Sequence, residues 1–145
     1  MTKVISIDPG RSKCGLVLAE LSEKKVYQAI VLKSELLENY VRDLNTFEDI
    51  SKIIIGNGTT SREIIKKVDF LKKEIITFEE RNTTYRAKER YFELFPNRNL
   101  KIFIPREFFI LNKNLDAISA LIILEDYCKI KFTLSQNVDF KTWLK

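Results

Sequence analysis

Lys3-Val4-Ile5-Ser6-Ile7-Asp8-Pro9-Gly10 is a β-branched run that ends on an acid and breaks into a turn at Pro-Gly. The stretch reads as a strand that delivers Asp8 at its carboxyl end. Two further strand-like runs follow, Cys14 to Leu21 and Val26 to Leu32, joined by the polar Ser22-Glu23-Lys24-Lys25. That spacing predicts an antiparallel hairpin, and with the first run a three-strand meander.

Beyond the meander the hydrophobic period changes from two to 3.6. Ser34 is placed to cap a helix whose apolar residues Leu36, Leu37, Tyr40, Val41 and Leu44 fall on one face. Lys52-Ile53-Ile54-Ile55-Gly56 has the apolar character of a strand buried on both faces, and Asn57-Gly58 turns the chain. Thr60 and Glu63 have capping-box spacing ahead of a helix buried through Ile64, Ile65, Val68 and Leu71. Glu74 to Phe78 returns as a strand and presents Glu79 and Glu80 at its end, after which Thr83 or Thr84 starts another helix, ended by Pro96. Residues 97–114 read as a long, loop-like connection. From Asp116 to about Ile130 the chain is apolar almost all round, the pattern of a buried helix with Asp116 in its first turn. The tail, 131–145, shows no clear period. The order predicts a mixed sheet flanked by helices, one domain over residues 1–145.

Composition narrows the chemistry. The 145 residues are 45% hydrophobic and carry 25 Lys and Arg against 20 Asp and Glu, a net charge of +5 that favours polyanionic partners. Cys14 and Cys128 stand far apart and read as reduced thiols. Neither a signal segment nor an apolar run of spanning length is visible, so the expectation is a cytoplasmic chain with no membrane contact. There is no His. This excludes the Ser-His and Cys-His nucleophile pairs and His-containing zinc sites, and leaves carboxylates, lysine or a metal-activated water for any hydrolysis.

Two acidic spots, Asp8 and Glu79-Glu80, fall at strand ends, where open α/β sheets gather functional groups; the third, Asp116, opens an apolar helix. Each has a plain alternative: Asp8 as a turn residue, Glu79 and Glu80 as a solvated pair, Asp116 as a helix-initiating acid favoured by the dipole. Together, in a chain without His, they suggest a carboxylate site for a hard cation. Gly56-Asn57-Gly58-Thr59-Thr60 offers backbone amides to an anion at a helix start, or is a turn and a cap; it lacks the Lys of a P-loop.

Three segments resemble the YqgF/RuvX family of ribonuclease H-like nucleases, most closely its cyanobacterial branch. Ile7-Asp8-Pro9-Gly10-Arg11-Ser12-Lys13-Cys14-Gly15-Leu16 is similar to the family's opening strand, its Asp-Pro-Gly, basic residue and Gly. Glu79-Glu80-Arg81-Asn82-Thr83-Thr84-Tyr85-Arg86-Ala87 is similar to its Asp-Glu-Arg segment, and Leu115-Asp116-Ala117 to Tyr127 to its last helix. Two positions depart from the pattern: Glu79 stands for the usual Asp, and Leu115 where relatives often have a further acid.

The resemblance implies a ribonuclease H-like fold with a mixed five-stranded sheet, and a nuclease in which Asp8, Glu80 and Asp116 are catalytic and hold one or two Mg²⁺ or Mn²⁺ ions. Arg11, Lys13, Thr59, Thr60, Arg81, Thr83 and Arg86 are then the expected substrate-binding residues. The partner this resemblance implies is structured RNA, with 5′-end maturation of precursor 16S ribosomal RNA as the family precedent. Alternatives are resolution of a Holliday junction in branched DNA and a non-catalytic nucleic-acid-binding module, with the chain a monomer or homodimer. An actin-like ATPase is disfavoured by a chain too short for two lobes.

Overall fold

The structure is a computed structural model that describes residues 2–79, 83–94, 105–136, 138 and 140–143; at 84, 105–114 and 140–143 the description is of the backbone. β1 (Lys3–Asp8), β2 (Lys13–Glu20) and β3 (Lys25–Lys33) form the expected antiparallel meander, with Asp8 opposite Gly15 and Lys13 opposite Lys33. A 3₁₀ turn (Ser34–Leu36) leads into α1 (Leu37–Phe47), then β4 (Ile50–Gly56), α2 (Ser61–Val68) and β5 (Glu74–Phe78). β4 lies parallel to β1, and β5 parallel to β4. α3 (Thr83–Leu94) and α4 (Pro105–Cys128) follow, then the short strands β6 (Thr133–Leu134) and β7 (Phe140–Trp143).

The sheet runs β5-β4-β1-β2-β3-β6, and β7 also pairs with β3. Its first five strands are the five expected. The other two come from the tail, where the sequence shows no period, and they join the free edge of β3 in parallel.

Alternation along the strands sorts the core into two layers. Ile5, Ile7, Cys14, Leu16, Leu18, Ile53 and Ile55 face Leu37, Val41 and Leu44 of α1 and Ile64 and Val68 of α2. Val4, Val17, Ala19, Ala29, Val31 and Ile54 face Ala87 and Tyr91 of α3 and the buried run Ala117 to Leu124 of α4. Burying both faces explains why β4 reads as a continuous apolar run, and the buried stretch Ala117 to Leu124 explains the apolar centre of α4. Among the described residues no helix is long and apolar enough to cross a membrane.

Three local expectations are corrected. α4 begins at Pro105, so the second half of the supposed connection, 105–114, is helical, while 97–104 lies outside the described residues. Proline at a first helical position loses no bond, and neither Pro nor Gly interrupts the chain from there to Cys128. Asp116 therefore stands near the middle of α4, not in its first turn. Thr60 makes no side-chain cap: its backbone (φ −100, ψ 4) is not the extended conformation in which a capping oxygen reaches the next amides, and the Ser61 hydroxyl bonds Gly58 O at 2.8 Å instead. Ser34, expected as a cap of α1, lies within the 3₁₀ turn and donates to Gly10 O at 2.9 Å.

Candidate active site

The site is set by where β1 ends. Val4 belongs to the α3/α4 layer, and Ser6 donates from Oγ to Ala120 O of α4 at 2.7 Å. Asp8, two residues further, falls on that same face. It is flanked by Gly15 of β2 on one side and, one residue beyond the Ile7–Ile55 pair, by the Gly56 end of β4 on the other. The turn after Asp8 is tight enough that a Cβ on Gly10 would come within 2.1 Å of Lys13 O, so glycine is required there.

Gly15 decides how closely α4 approaches. A Cβ built on it would lie 1.8 Å from Asp116 O and 2.8 Å from Ala117 N, so the helix backbone rests directly on the β2 backbone. Asp116 thus stands above the Asp8–Gly15 pair, half-exposed, with its Oδ2 3.5 Å from Lys13 Nζ. The buried Cys14 thiol senses both acids. Burial first, then the charges of Asp8 and Asp116, push it up to about 12 against the lowering effects of Lys67 and the Ser34 hydroxyl. The two acids thus both act on this thiol, Asp8 from the end of β1 and Asp116 from α4.

Mid-helix placement removes the plain alternative for Asp116. The dipole stabilises acids only within the first turn of a helix. An acid at this position instead faces the cost of partial burial, with one lysine at ion-pair distance.

The other expected residues divide. Arg11 is exposed and Lys13 half-exposed on the turn and strand beside Asp8. Thr59 is exposed and Thr60 half-buried in the segment that follows β4, at the sheet edge where Asp8 lies. Thr83 opens α3. Arg86 is not brought to the acids: it forms a two-pronged bond to Asp126, at 2.7 and 2.6 Å. Ten residues separate Asp126 from Asp116, about 15 Å along a helix. Glu80 and Arg81 lie outside the described residues. Ser6 and Lys33 had not been expected at the site, while Gly15 had been read only as part of the opening motif and Ser34 only as a helix cap. For Gly15 the signal was a glycine inside a strand, which marks close backbone approach.

Described residues include no group of three or more His, Cys, Asp or Glu placed to hold a metal. What they present is a pair of carboxylates. The pair fits Mg²⁺ or Mn²⁺ in donor chemistry, because such ions take oxygen ligands, and Mg²⁺ is commonly held through one or two carboxylates together with substrate phosphates.

Neither a protein-family model nor a curated protein matches the sequence. Among solved structures the chain is similar to T. thermophilus RuvC in complex with Holliday junction substrate, with a TM-score of 0.53 and 10% identity over 89% of this chain and 96% of that one. It is also similar to the human cytomegalovirus terminase nuclease domain, with a TM-score of 0.45 and 13% identity over 87% and 82%. The first likeness shows the fold: it is the ribonuclease H-like one.

Proposed function

We propose that the chain is a metal-dependent nuclease that hydrolyses phosphodiester bonds in nucleic acid, as a member of the YqgF/RuvX family. The observation that carries this reading is the pairing of Asp8 and Asp116 on one face of a ribonuclease H-like sheet, made possible by Gly15. Asp8 and Asp116, with Glu80, would hold one or two Mg²⁺ or Mn²⁺ ions. Such an ion supplies a water of lowered pKa and neutralises charge on the leaving oxygen.

The protein's own part is positional. Asp8 is fixed by the strand end and the Gly10 turn, Asp116 by the contact of α4 with Gly15. Lys13, 3.5 Å from Asp116, would be available to a phosphate held at the acids. Arg11 adds positive charge on the exposed side, which draws a polyanion toward the acids. No histidine would be needed, since an ion held by Asp8, Asp116 and Glu80 would itself supply a water of lowered pKa.

The substrate we favour is structured RNA, with maturation of the 5′ end of precursor 16S ribosomal RNA; this rests on the motif resemblance. A second reading, cleavage of a four-way DNA junction, is favoured by the likeness to RuvC, whose structure holds a Holliday junction substrate. Symmetric junction cleavage calls for a two-fold dimer. The test is a cleavage assay on labelled precursor 16S RNA and a synthetic four-way junction with Mg²⁺, Mn²⁺ or EDTA, comparing wild type with Asp8→Asn. Metal-dependent cutting of RNA alone, lost in the variant, is the expected result. Symmetric cutting of the junction transfers the reading to a resolvase, and binding of both without cutting under any metal replaces it with a non-catalytic binding module.

A further inference from the structure

Lys13 and Lys33 sit directly opposite each other on β2 and β3. Their neighbours fix the face: Cys14 and Leu32 point into the α1/α2 layer, so both lysines point to the side that carries Asp8 and Asp116. Like charges directly opposed across strands are destabilising, and Asp116 engages only the nearer of the two. Among the described residues neither Lys33 nor Arg11 has a carboxylate partner. An anion between the lysines relieves that repulsion.

A place for it exists. Arg11, Ser12, Lys13, Lys33 and Glu35 line an open groove of about 610 Å³, three cations against one carboxylate. The backbone beside it is held by hydrogen bonds. Ser34 N donates to Ser12 O at 2.9 Å, Ser34 Oγ donates to Gly10 O at 2.9 Å, and Lys67 Nζ donates to Ser34 O at 2.9 Å. The turn after Asp8 and the end of β3 are thereby held as one unit. The arginines of α3 offer no comparable path, since Arg86 is committed to Asp126, and Arg90 to Glu125 and Phe132 O.

We infer that this groove is the track for the sugar-phosphate backbone beside the scissile bond, with Lys33 and Arg11 holding successive phosphates and Ser12 donating to one of them. The nucleic acid then leaves the carboxylates across the ends of β2 and β3, not along α3. Recognition here is of backbone charge and carries no sequence preference.

The inference rests on the nuclease reading, and its test is independent of cleavage. Binding of a labelled RNA hairpin and a labelled four-way junction is followed by fluorescence anisotropy in EDTA over a series of NaCl concentrations. Each phosphate contact removed lowers the slope of log affinity against log salt by roughly 1. Lys33→Gln and Arg11→Gln are expected each to flatten the slope by about that amount, and the double variant by roughly twice as much. Lys25→Gln, at the other end of β3 and about 26 Å away at roughly 3.3 Å per residue, is expected to leave it unchanged. Inorganic phosphate at matched phosphate concentration is expected not to compete; competition would make the groove a free-phosphate site and overturn the proposal. Wild-type slopes in both groove variants, in a protein that cuts nucleic acid, would overturn the groove and leave the nuclease standing. No binding of either nucleic acid by wild type at low salt would overturn both.

Discussion

Among its described side chains, α4 carries acids at two places, and they are held in opposite ways. In its last turns, Glu125 takes two bonds from Arg90, at 3.1 and 2.8 Å, and a third from Phe132 N at 2.8 Å, while Arg90 also donates to Phe132 O. Asp126 is gripped by both ends of Arg86. Near the middle, Asp116 meets Lys13 at 3.5 Å with both side chains part-exposed. An acid that fastens structure is saturated with short, multiple donors. Asp116 is held by one lysine at the edge of ion-pair range, beside a second carboxylate, and keeps capacity to bind something else.

The largest effect expected from breaking this contrast is at the saturated end. Arg90→Ala leaves Glu125 buried without its counter-ion and Phe132 O without a donor, and should cost about 3–5 kcal/mol in urea unfolding. Arg86→Ala, at a half-exposed pair, should cost about 1 kcal/mol or less. Equal losses would mean that burial does not separate the two pairs.

Next in size is Gly15→Ala. The added methyl meets backbone atoms of Asp116, which cannot rotate away, so α4 must lift from β2. The expected loss is about 1–3 kcal/mol, with Asp116 displaced from Asp8. A variant as stable as wild type would refute the contact.

Asp116→Asn should change stability by less than about 1 kcal/mol, because an ion pair this exposed contributes little. A loss matching that of Arg90→Ala would make Asp116 a fastening acid like Glu125.

Glu20, at the far end of β2, sharpens the contrast through pH. The Ser22 hydroxyl first, then the amides of Glu23 and Thr2, hold its carboxyl below the ordinary range. A depressed pKa stabilises the fold above the unfolded value, roughly 4.3, and that contribution is lost as pH falls through the lower folded value. The difference in urea midpoint between wild type and Glu20→Gln should therefore be present at neutral pH and vanish on acidification below the ordinary Glu range.

Much of this was legible in sequence for physical reasons. A β-branched run cut by Pro9-Gly10 can hardly be anything but a strand that delivers Asp8, and the shift in hydrophobic period separates the meander from the crossover helices. The start of α4 was not legible, because Asn112 and Asn114 resemble turn residues and only the continuous backbone shows the helix running through them. β6 and β7 were missed because two to four residues pairing by backbone alone leave no side-chain period. Arg86 was read as facing the substrate because its partner, Asp126, lies 40 residues away and only the packing of α3 on α4 joins them. Lys33 went unnoticed for the same reason: its meaning depends on the register that sets it against Lys13.

On the proposed reading, Asp8 and Asp116 form a cation site and the acids at the end of α4 do not. Titration of Mn²⁺ into the apo protein, followed by calorimetry, tests it most directly across wild type, Asp8→Asn, Asp116→Asn and Asp126→Asn. Mn²⁺ is expected to bind wild type, to be lost in the first two variants and to be retained in the third. Mn²⁺ binding that survives both Asp8→Asn and Asp116→Asn, or no binding by the wild-type protein, would contradict it.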